Sequence, residues 1–391
     1  MTLTRRTLLA ATGALALPSI AHAGGVSDGE IVLGTHLDLS GPVAAGMPNI
    51  RFGMQMRIDE ANEAGGVNGR KLRLIVEDNG SQPQMAVRAT DKLIRSDEVF
   101  AIINPFGSGT NAAVVKRAVD AGVIYFSPWG ASSILRKIGG NHKYLFTTTP
   151  NYDTVMRTGT GWMIDTYKAT KVGFIMQEGP LGDLVKAGAV QALEARGMKP
   201  VAEASYKAGD IDFSSQVARM QAAGADLIVI ATITRETIGI MAEVKKLGMT
   251  AKVLTANPGR TGIVLQLGKA TVEGLYGIGV WNAYPEGREP PEVKALIAAF
   301  KKRFPIEPDE NAILAYAYTD WFIKGGLMPV GRDVTADRVM AALNASTGDH
   351  FIFYGKKHFV GGHIDPEDVQ VEQVKDGAWT AVSKAMAPGK P

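Results

Sequence analysis

From Glu30 onward, short apolar runs alternate with stretches in which apolar residues recur every three or four positions. EIVLGTHL (30–37) reads as a buried strand. Ile50, Met54, Ile58 and Ala61 then share one face of a helix, which Gly65-Gly66 ends and Asn68-Gly69 turns. KLRLIVED (71–78) predicts the next strand, and Met85, Ala89 and Leu93 the helix after it. VFAII (99–103), a helix carrying Ala112, Val115 and Val119, and VIYFS (123–127) continue the alternation.

The pattern then restarts. VGFIM (172–176) leads to a helix with Val185, Ala189, Ala192 and Leu193. VAEASY (201–206) leads to one with Phe213, Val217 and Met220, with Asp212 placed to cap it. DLIVIAT (226–232) leads to Ile240, Val244 and Leu247, where Gly248 stops the helix, and KVLTA (252–256) closes the series. Near-continuous apolar strands separated by helix-length segments mean parallel sheets covered on both faces. Two such series, 28–149 and 150–273, exceed one sheet and predict two doubly wound lobes. Beyond them come a strand at 275–280, helices over 290–303, 309–328 and 333–345, and short strands including VQVEQV (369–374).

Composition narrows the function. The chain has 391 residues, enough for two or three domains, and its 46% hydrophobic and 21% charged content is that of a folded globular protein. It has no Cys, which excludes thiol nucleophiles, iron–sulfur clusters, Cys-ligated zinc and disulfides. Arg5 and Arg6 precede an apolar run, Leu8 to Leu17, and Ala21-His22-Ala23 supplies a small-x-small cleavage pattern. About ten apolar residues cannot cross a ~30 Å hydrocarbon core, so this is read as an export signal, cleaved near Ala23. Thr4-Arg5-Arg6-Thr7-Leu8-Leu9 is compatible with a twin-arginine or an ordinary secretory route. Loss of the two arginines takes a net charge of +3 close to neutral, and no basic field remains to recruit nucleic acid.

Three constellations carry candidate chemistry. Asn104-Pro105-Phe106-Gly107-Ser108-Gly109-Thr110-Asn111-Ala112 follows a strand and opens a helix. The Gly107-x-Gly109-x-x-Ala112 spacing is locally that of a dinucleotide fingerprint, but 124–134 holds no acidic residue for a ribose, so no such cofactor is expected. Free N–H groups at the helix start, with the Ser108 and Thr110 hydroxyls, would instead hold an anion such as a carboxylate. Ser127-Pro128-Trp129-Gly130-Ala131-Ser132 follows the next strand, and Trp129 could cover a ligand's apolar part or simply pack between lobes. His358 and His363 with Asp365, Glu367 and Asp368 offer metal-ligating types, yet Gly361-Gly362 points to a solvated strand–turn–strand and no metal. The chain has no G-x-S-x-G, H-E-x-x-H or P-loop.

With these residues in view, the chain resembles the leucine/isoleucine/valine-binding type of periplasmic solute-binding protein, the extracytoplasmic receptor of an ABC importer. The marks are Leu39-Ser40-Gly41-Pro42, the run Glu60 to Arg70 (EANEAGGVNGR), Glu77-Asp78 followed by Gln82-Pro83-Gln84-Met85-Ala86, Ser127-Pro128, Gly209-Asp210-Ile211-Asp212-Phe213 and Leu247-Gly248. The resemblance implies an α/β, type I periplasmic-binding-protein fold: two doubly wound parallel-sheet lobes joined by three crossovers near Thr149, Gly274 and Phe351. Lobe one would be 28–149 plus 275–350, and lobe two 150–274 plus 351–391. A ligand would sit between them.

Carried over by position, Ser108, Gly109 and Thr110 with Trp129, Gly130, Ala131 and Ser132 would hold a ligand carboxylate from lobe one. Lobe two would contribute the loops at Glu178–Leu181, Ile233-Thr234 and Asn257–Arg260. The sequence departs from the family at Leu181, where an aromatic is frequent, at Asn257-Pro258-Gly259, where amino-acid binders place a carboxylate, and at Thr147 and Tyr152, where Arg and Asp are usual. A buried ammonium without an anionic partner costs several kcal/mol. Trp129 and Tyr152 would therefore suit a carboxylate with a flat or apolar body, unless Glu178 or Glu236 supplies the missing charge. The expected partners are this small carboxylate and an inner-membrane ABC permease, the expected state is a monomer, and no cofactor is implied. The same fold could serve a sensor. A cleft hydrolase would need a nucleophile with a base in reach, which no motif supplies.

Overall fold

The computed structural model describes residues 24–388 apart from 283, 285, 286 and 288; the expected export signal over 1–23 lies outside the described residues. The first half runs β1 (Glu30–Leu37), α1 (Met47–Glu63), β2 (Lys71–Asp78), α2 (Pro83–Arg95), β3 (Ala101–Ile103), α3 (Ser108–Asp120), β4 (Ile124–Phe126), α4 (Ser132–Ile138) and β5 (Leu145–Phe146). These strands form one parallel sheet in the order β2-β1-β3-β4-β5. Side chains alternate across it as strand geometry requires. Ile31, Leu33 and Phe126 join one buried cluster, while Val32, Ile102 and Tyr125 join another with residues of α2 and α3.

The second half runs α5 (Tyr152–Tyr167), β6 (Val172–Gln177), α6 (Pro180–Glu194), β7 (Ala202–Tyr206), α7 (Ser214–Ala222), β8 (Leu227–Ala231), α8 (Thr234–Lys246), β9 (Lys252–Thr255), α9 (Gly262–Gly268) and β10 (Tyr276–Gly279). There follow α10 (Pro291–Arg303), α11 (Glu310–Trp321), α12 (Ala336–Ala345), the hairpin β11 (His358–Val360) and β12 (His363–Asp365), then β13 (Gln370–Lys375) and β14 (Ala378–Ala381). The second sheet has the order β14-β13-β10-β9-β8-β6-β7, parallel from β7 to β10 and antiparallel beyond. This is the expected α/β, two-sheet architecture.

Two boundaries differ from expectation. Residues 275–280 are expected with the first lobe, yet β10 pairs in parallel with β9, Tyr276 opposite Leu254, and so belongs to the second sheet. Residues after 351 are expected with the second, yet the β11–β12 hairpin lies against β5, with Thr147 N donating to Gly362 O and Ile364 N to Thr147 O. Phe359 explains this placement: its ring packs 5.0 Å from Phe146 and 4.3 Å from Trp321, inside the aromatic core under the first sheet. The chain therefore passes between the sheets after β5, after β10 and after β12.

These passages are stitched together. The Asn282 amide donates to the Phe351 and Phe353 carbonyls at 2.8 and 3.0 Å. His363 bridges the Thr147 hydroxyl at 2.6 Å and Glu367 at 2.7 Å, and Glu367 also accepts the Asn151 N–H. The His and acid cluster read as solvated is thus half a hinge brace: His363 is buried within it, while His358 and Asp365 are exposed. Among the described residues no helix is long and apolar enough to cross a membrane.

Candidate functional site

In an open α/β sheet, ligands bind beyond the carboxyl ends of strands where the strand order reverses. The first sheet reverses between β1 and β3, so the loops after Leu37 and Ile103 border that point. Asn104 and Ser127, the residues ending β3 and β4, both take positive φ (49° and 55°), an αL conformation that turns the two loops together. The loops then zip as a short ladder: Trp129 N donates to Pro105 O, and Gly107 N to Trp129 O. Gly107 follows with φ 105°, and a Cβ there would meet Thr110 Oγ1 at 2.4 Å. From that turn α3 starts, presenting the N–H groups of Ser108, Gly109 and Thr110 at its positive end.

Ser108 is the meeting point. Its hydroxyl accepts the Ala131 N–H at 3.1 Å and lies beside the Tyr152 hydroxyl at the start of α5. Gly130 lies so close that a Cβ would stand 2.9 Å from Ser108 Cα. Because α5 packs on α6 beside the second sheet, the Ser108–Tyr152 contact joins the two halves. Helices α3 and α6 also approach one another, with Leu181 in the first turn of α6 buried. The two halves are closed on each other here.

Along the second sheet, the carboxyl ends of β6, β8 and β9 carry Glu178, then Ile233 and Thr234, then Asn257 and Arg260. Glu178 is exposed, Ile233 and Thr234 are half-buried, and Asn257 and Arg260 are buried. The structure thus sets Ser108, Gly109, Thr110, Trp129, Gly130, Ala131 and Tyr152 in one group with Ser132 at the start of α4, and Glu178, Leu181, Ile233, Thr234, Asn257 and Arg260 beyond the carboxyl ends of the second sheet.

A family profile described as periplasmic binding protein matches residues 30–378. The chain belongs to that family. The periplasmic binding protein is 25% identical over 307 residues to a Leu/Ile/Val-binding protein homolog 1 of Brucella abortus, covering 78% of this chain and 80% of that one. Its fold matches a fatty acid ABC transporter substrate-binding protein from Thermomonospora curvata (TM-score 0.81, 23% identity, 93% and 94% of the chains). It also matches a solute-binding protein of R. palustris in complex with benzoate (TM-score 0.81, 20% identity, 92% and 97%). These matches agree with the type I fold read from the sequence.

Several side chains of the binding protein expected to be free for a ligand are spent internally. Thr110 Oγ1 donates to Phe106 O at 2.6 Å, so its hydroxyl hydrogen is not free for an anion. Ser132 donates to Thr149 O, fixing the first passage between sheets. Trp129 Nε1 donates to Asn104 Oδ1 at 3.2 Å, which fixes the plane of its half-buried ring. Arg260 is turned away from any incoming anion. Its Nε donates to Glu372 at 2.5 Å, and the guanidinium lies 5.9 Å from the ring centres of both Trp281 and Trp379.

Sequence reasoning missed the support beneath the site. Asn79 Nδ2 donates to His36 Nδ1 at 2.9 Å and to Phe106 O at 3.0 Å. His36 Nε2 meets the Tyr125 hydroxyl at 3.0 Å, and Tyr125 donates to Asn111 Oδ1 at 2.6 Å. Asn111 in turn donates to the Pro105 and Trp129 carbonyls. Burial lowers the His36 pKa to about 3, so the imidazole stays neutral and the chain of donors keeps one direction. Asp78 does the same for the neighbouring loop, accepting the Leu39 and Gly80 N–H groups and the Ser40 hydroxyl. A polar residue, His36, next to the end of an otherwise apolar strand was the available signal.

Proposed function

We propose that this periplasmic binding protein captures a branched-chain amino acid or a related small apolar or aromatic carboxylate between two closing lobes and delivers it to an inner-membrane ABC permease. The supporting observation is the start of α3 at the reversal point of the first sheet, with its N–H groups directed toward the meeting of Ser108, Ala131 and Tyr152. A carboxylate there gains the helix dipole and several backbone donors without a cationic side chain. The lobes are residues 28–149 with α10–α12 and the β11–β12 hairpin, and α5–β10 with β13 and β14. Closure needs only that ligand contact both lobes better than water does.

Within that class the reading favours an acid without an ammonium. Asn257, Pro258 and Gly259 offer no carboxylate, and Arg260 is neutralised by Glu372. Glu236 is buried with its pKa raised by desolvation, which works against the charged carboxylate that an ammonium would need. The names of relatives and neighbours span leucine-type, fatty acid and benzoate ligands, all of which carry a carboxylate on an apolar body. Titration calorimetry of protein stripped of ligand by unfolding and refolding, against leucine, valine, benzoate and hexanoate, tests this. Micromolar or tighter binding of benzoate or hexanoate is expected; leucine binding alone overturns the preference, and no carboxylate binding overturns the reading.

A further inference from the structure

Buried polar atoms in folded proteins nearly always have a hydrogen-bond partner, and the exceptions mark places where water or a ligand belongs. Among the described residues four such atoms lie in the segments that follow β9 and β10: Asn257 Oδ1, Arg260 Nη2, Thr261 Oγ1 and Trp281 Nε1. Arg260 Nη2 is held by the Glu372 carboxylate as an ion pair, which leaves three, in residues 3%, 7% and 7% exposed. They come from adjacent strands, since Gly277 of β10 lies opposite Thr255 of β9, and Arg260 ties them together. Its backbone N–H donates to Asn257 O, and its guanidinium faces the Trp281 ring. Beside Thr261, Glu310 at the start of α11 accepts the Gly262 N–H at 2.5 Å, bringing the first lobe against this segment.

The three atoms differ in what they ask of a partner. The Trp281 indole only donates, the Asn257 carbonyl oxygen only accepts, and the Thr261 hydroxyl does either. An ammonium cannot satisfy the indole, and a carboxylate cannot satisfy the Asn257 oxygen. A hydroxyl can accept from the one and donate to the other. The first-lobe groups, by contrast, already use their side chains on one another, leaving only backbone donors for an acid.

We propose that Asn257, Thr261 and Trp281 form a subsite that reads a hydroxyl, and that the natural ligand is a carboxylate bearing a hydroxyl at the end far from its acid group. This rests on the carboxylate reading above and divides the labour between the lobes: the first lobe binds the acid, and the second selects by the hydroxyl. Arg260 is a positioning residue, held by Glu372 so that the Trp281 ring and the Asn257 turn keep their places. A site built around buried groups that need a hydroxyl discriminates against the analogue lacking one, because the analogue leaves them unpaired.

Calorimetry of the ligand-stripped full chain with two matched pairs, benzoate against 4-hydroxybenzoate and hexanoate against 6-hydroxyhexanoate, tests the subsite. The hydroxylated member of at least one pair is expected to bind about tenfold tighter or more. That preference should shrink to about twofold in Trp281→Phe, which keeps the ring and removes the donor, and in Asn257→Leu. The wild-type comparison stands even if a variant folds poorly. Equal binding of plain and hydroxylated acids overturns the subsite while leaving the carboxylate reading intact, as does a preference that survives both substitutions. Failure of all four acids to bind overturns the carboxylate reading and the subsite together.

Discussion

The Glu310 carboxylate and the Gly262 backbone touch across the two halves of the molecule. Oε1 accepts the Gly262 N–H at 2.5 Å, and a Cβ on Gly262 would meet Oε2 at 2.6 Å. Glu310 starts α11, which packs on α1 against the first sheet, whereas Gly262 starts α9, which packs on α8. The contact depends on glycine because the carboxylate occupies the volume that a side chain would need. Gly262→Ala should lower stability by about 1 kcal/mol and weaken ligand binding, as judged by urea denaturation and calorimetry. In a Glu310→Ala background the same substitution should be close to neutral, and a double-mutant cycle showing no coupling would contradict this account.

Asp309 precedes Glu310 and caps α11 by accepting the Asn311 and Ala312 N–H groups. Burial, then the neighbouring Glu310 charge, push its pKa up to about 7, and Glu310 is raised as well, chiefly by burial. A raised folded-state carboxylate contributes stability that is fully present below its unfolded pKa and is lost as pH rises through the folded value. Between pH 4 and pH 8 the pair should therefore withdraw on the order of 2–4 kcal/mol, at about 1.4 kcal/mol per unit. Asp309→Asn keeps a capping oxygen and should flatten that slope, with a higher melting temperature than wild type at pH 8. A variant whose slope matches wild type would contradict the assignment.

Arg260 and Glu372 are 1% and 4% exposed at their side chains, an ion pair shut away from water. Glu372→Gln leaves the guanidinium buried with a neutral partner and should cost about 3–5 kcal/mol in urea unfolding. Replacing both residues with apolar groups of similar volume should cost less than the single change.

Gly130 bears on function more directly. A methyl there would press on Ser108 Cα and N at 2.9 and 3.0 Å, backbone that cannot swing aside. Gly130→Ala should therefore displace the start of α3 and reduce carboxylate affinity at least about tenfold. Ser108→Ala, which loses the hydrogen bond from the Ala131 N–H but no space, should cost about 1 kcal/mol in stability. Calorimetry with parallel thermal melts separates the two effects.

Much of the architecture was written in the periodicity. β1, β2 and β6 through β9 fall within a residue or two of their apolar runs, and α1 buries Ile50, Met54, Ile58 and Ala61 as their spacing demands. What the pattern could not carry was pairing. LYGIGV is apolar enough for either sheet, and only its register with β9 assigns it. β5, two residues long, and the β11–β12 hairpin have too few positions to show a period. At the site, Gly107-Ser108-Gly109 after a strand was a legible helix start. Which side chains stay free was not: Thr110 turns back onto the carbonyl of Phe106 four positions earlier, whereas Ser132 and Arg260 find partners 17 and 112 positions away.

The hairpin that seals β5 has a consequence for how the chain is made. The edge of the first sheet, assembled from residues ending at 146, stays exposed until residues 358–365 arrive to cover it. A fragment truncated before that point would carry a bare strand edge and lack the Phe359 ring from its aromatic core. The amino-terminal third thus acquires its full edge and core packing only once the carboxyl-terminal tenth is in place.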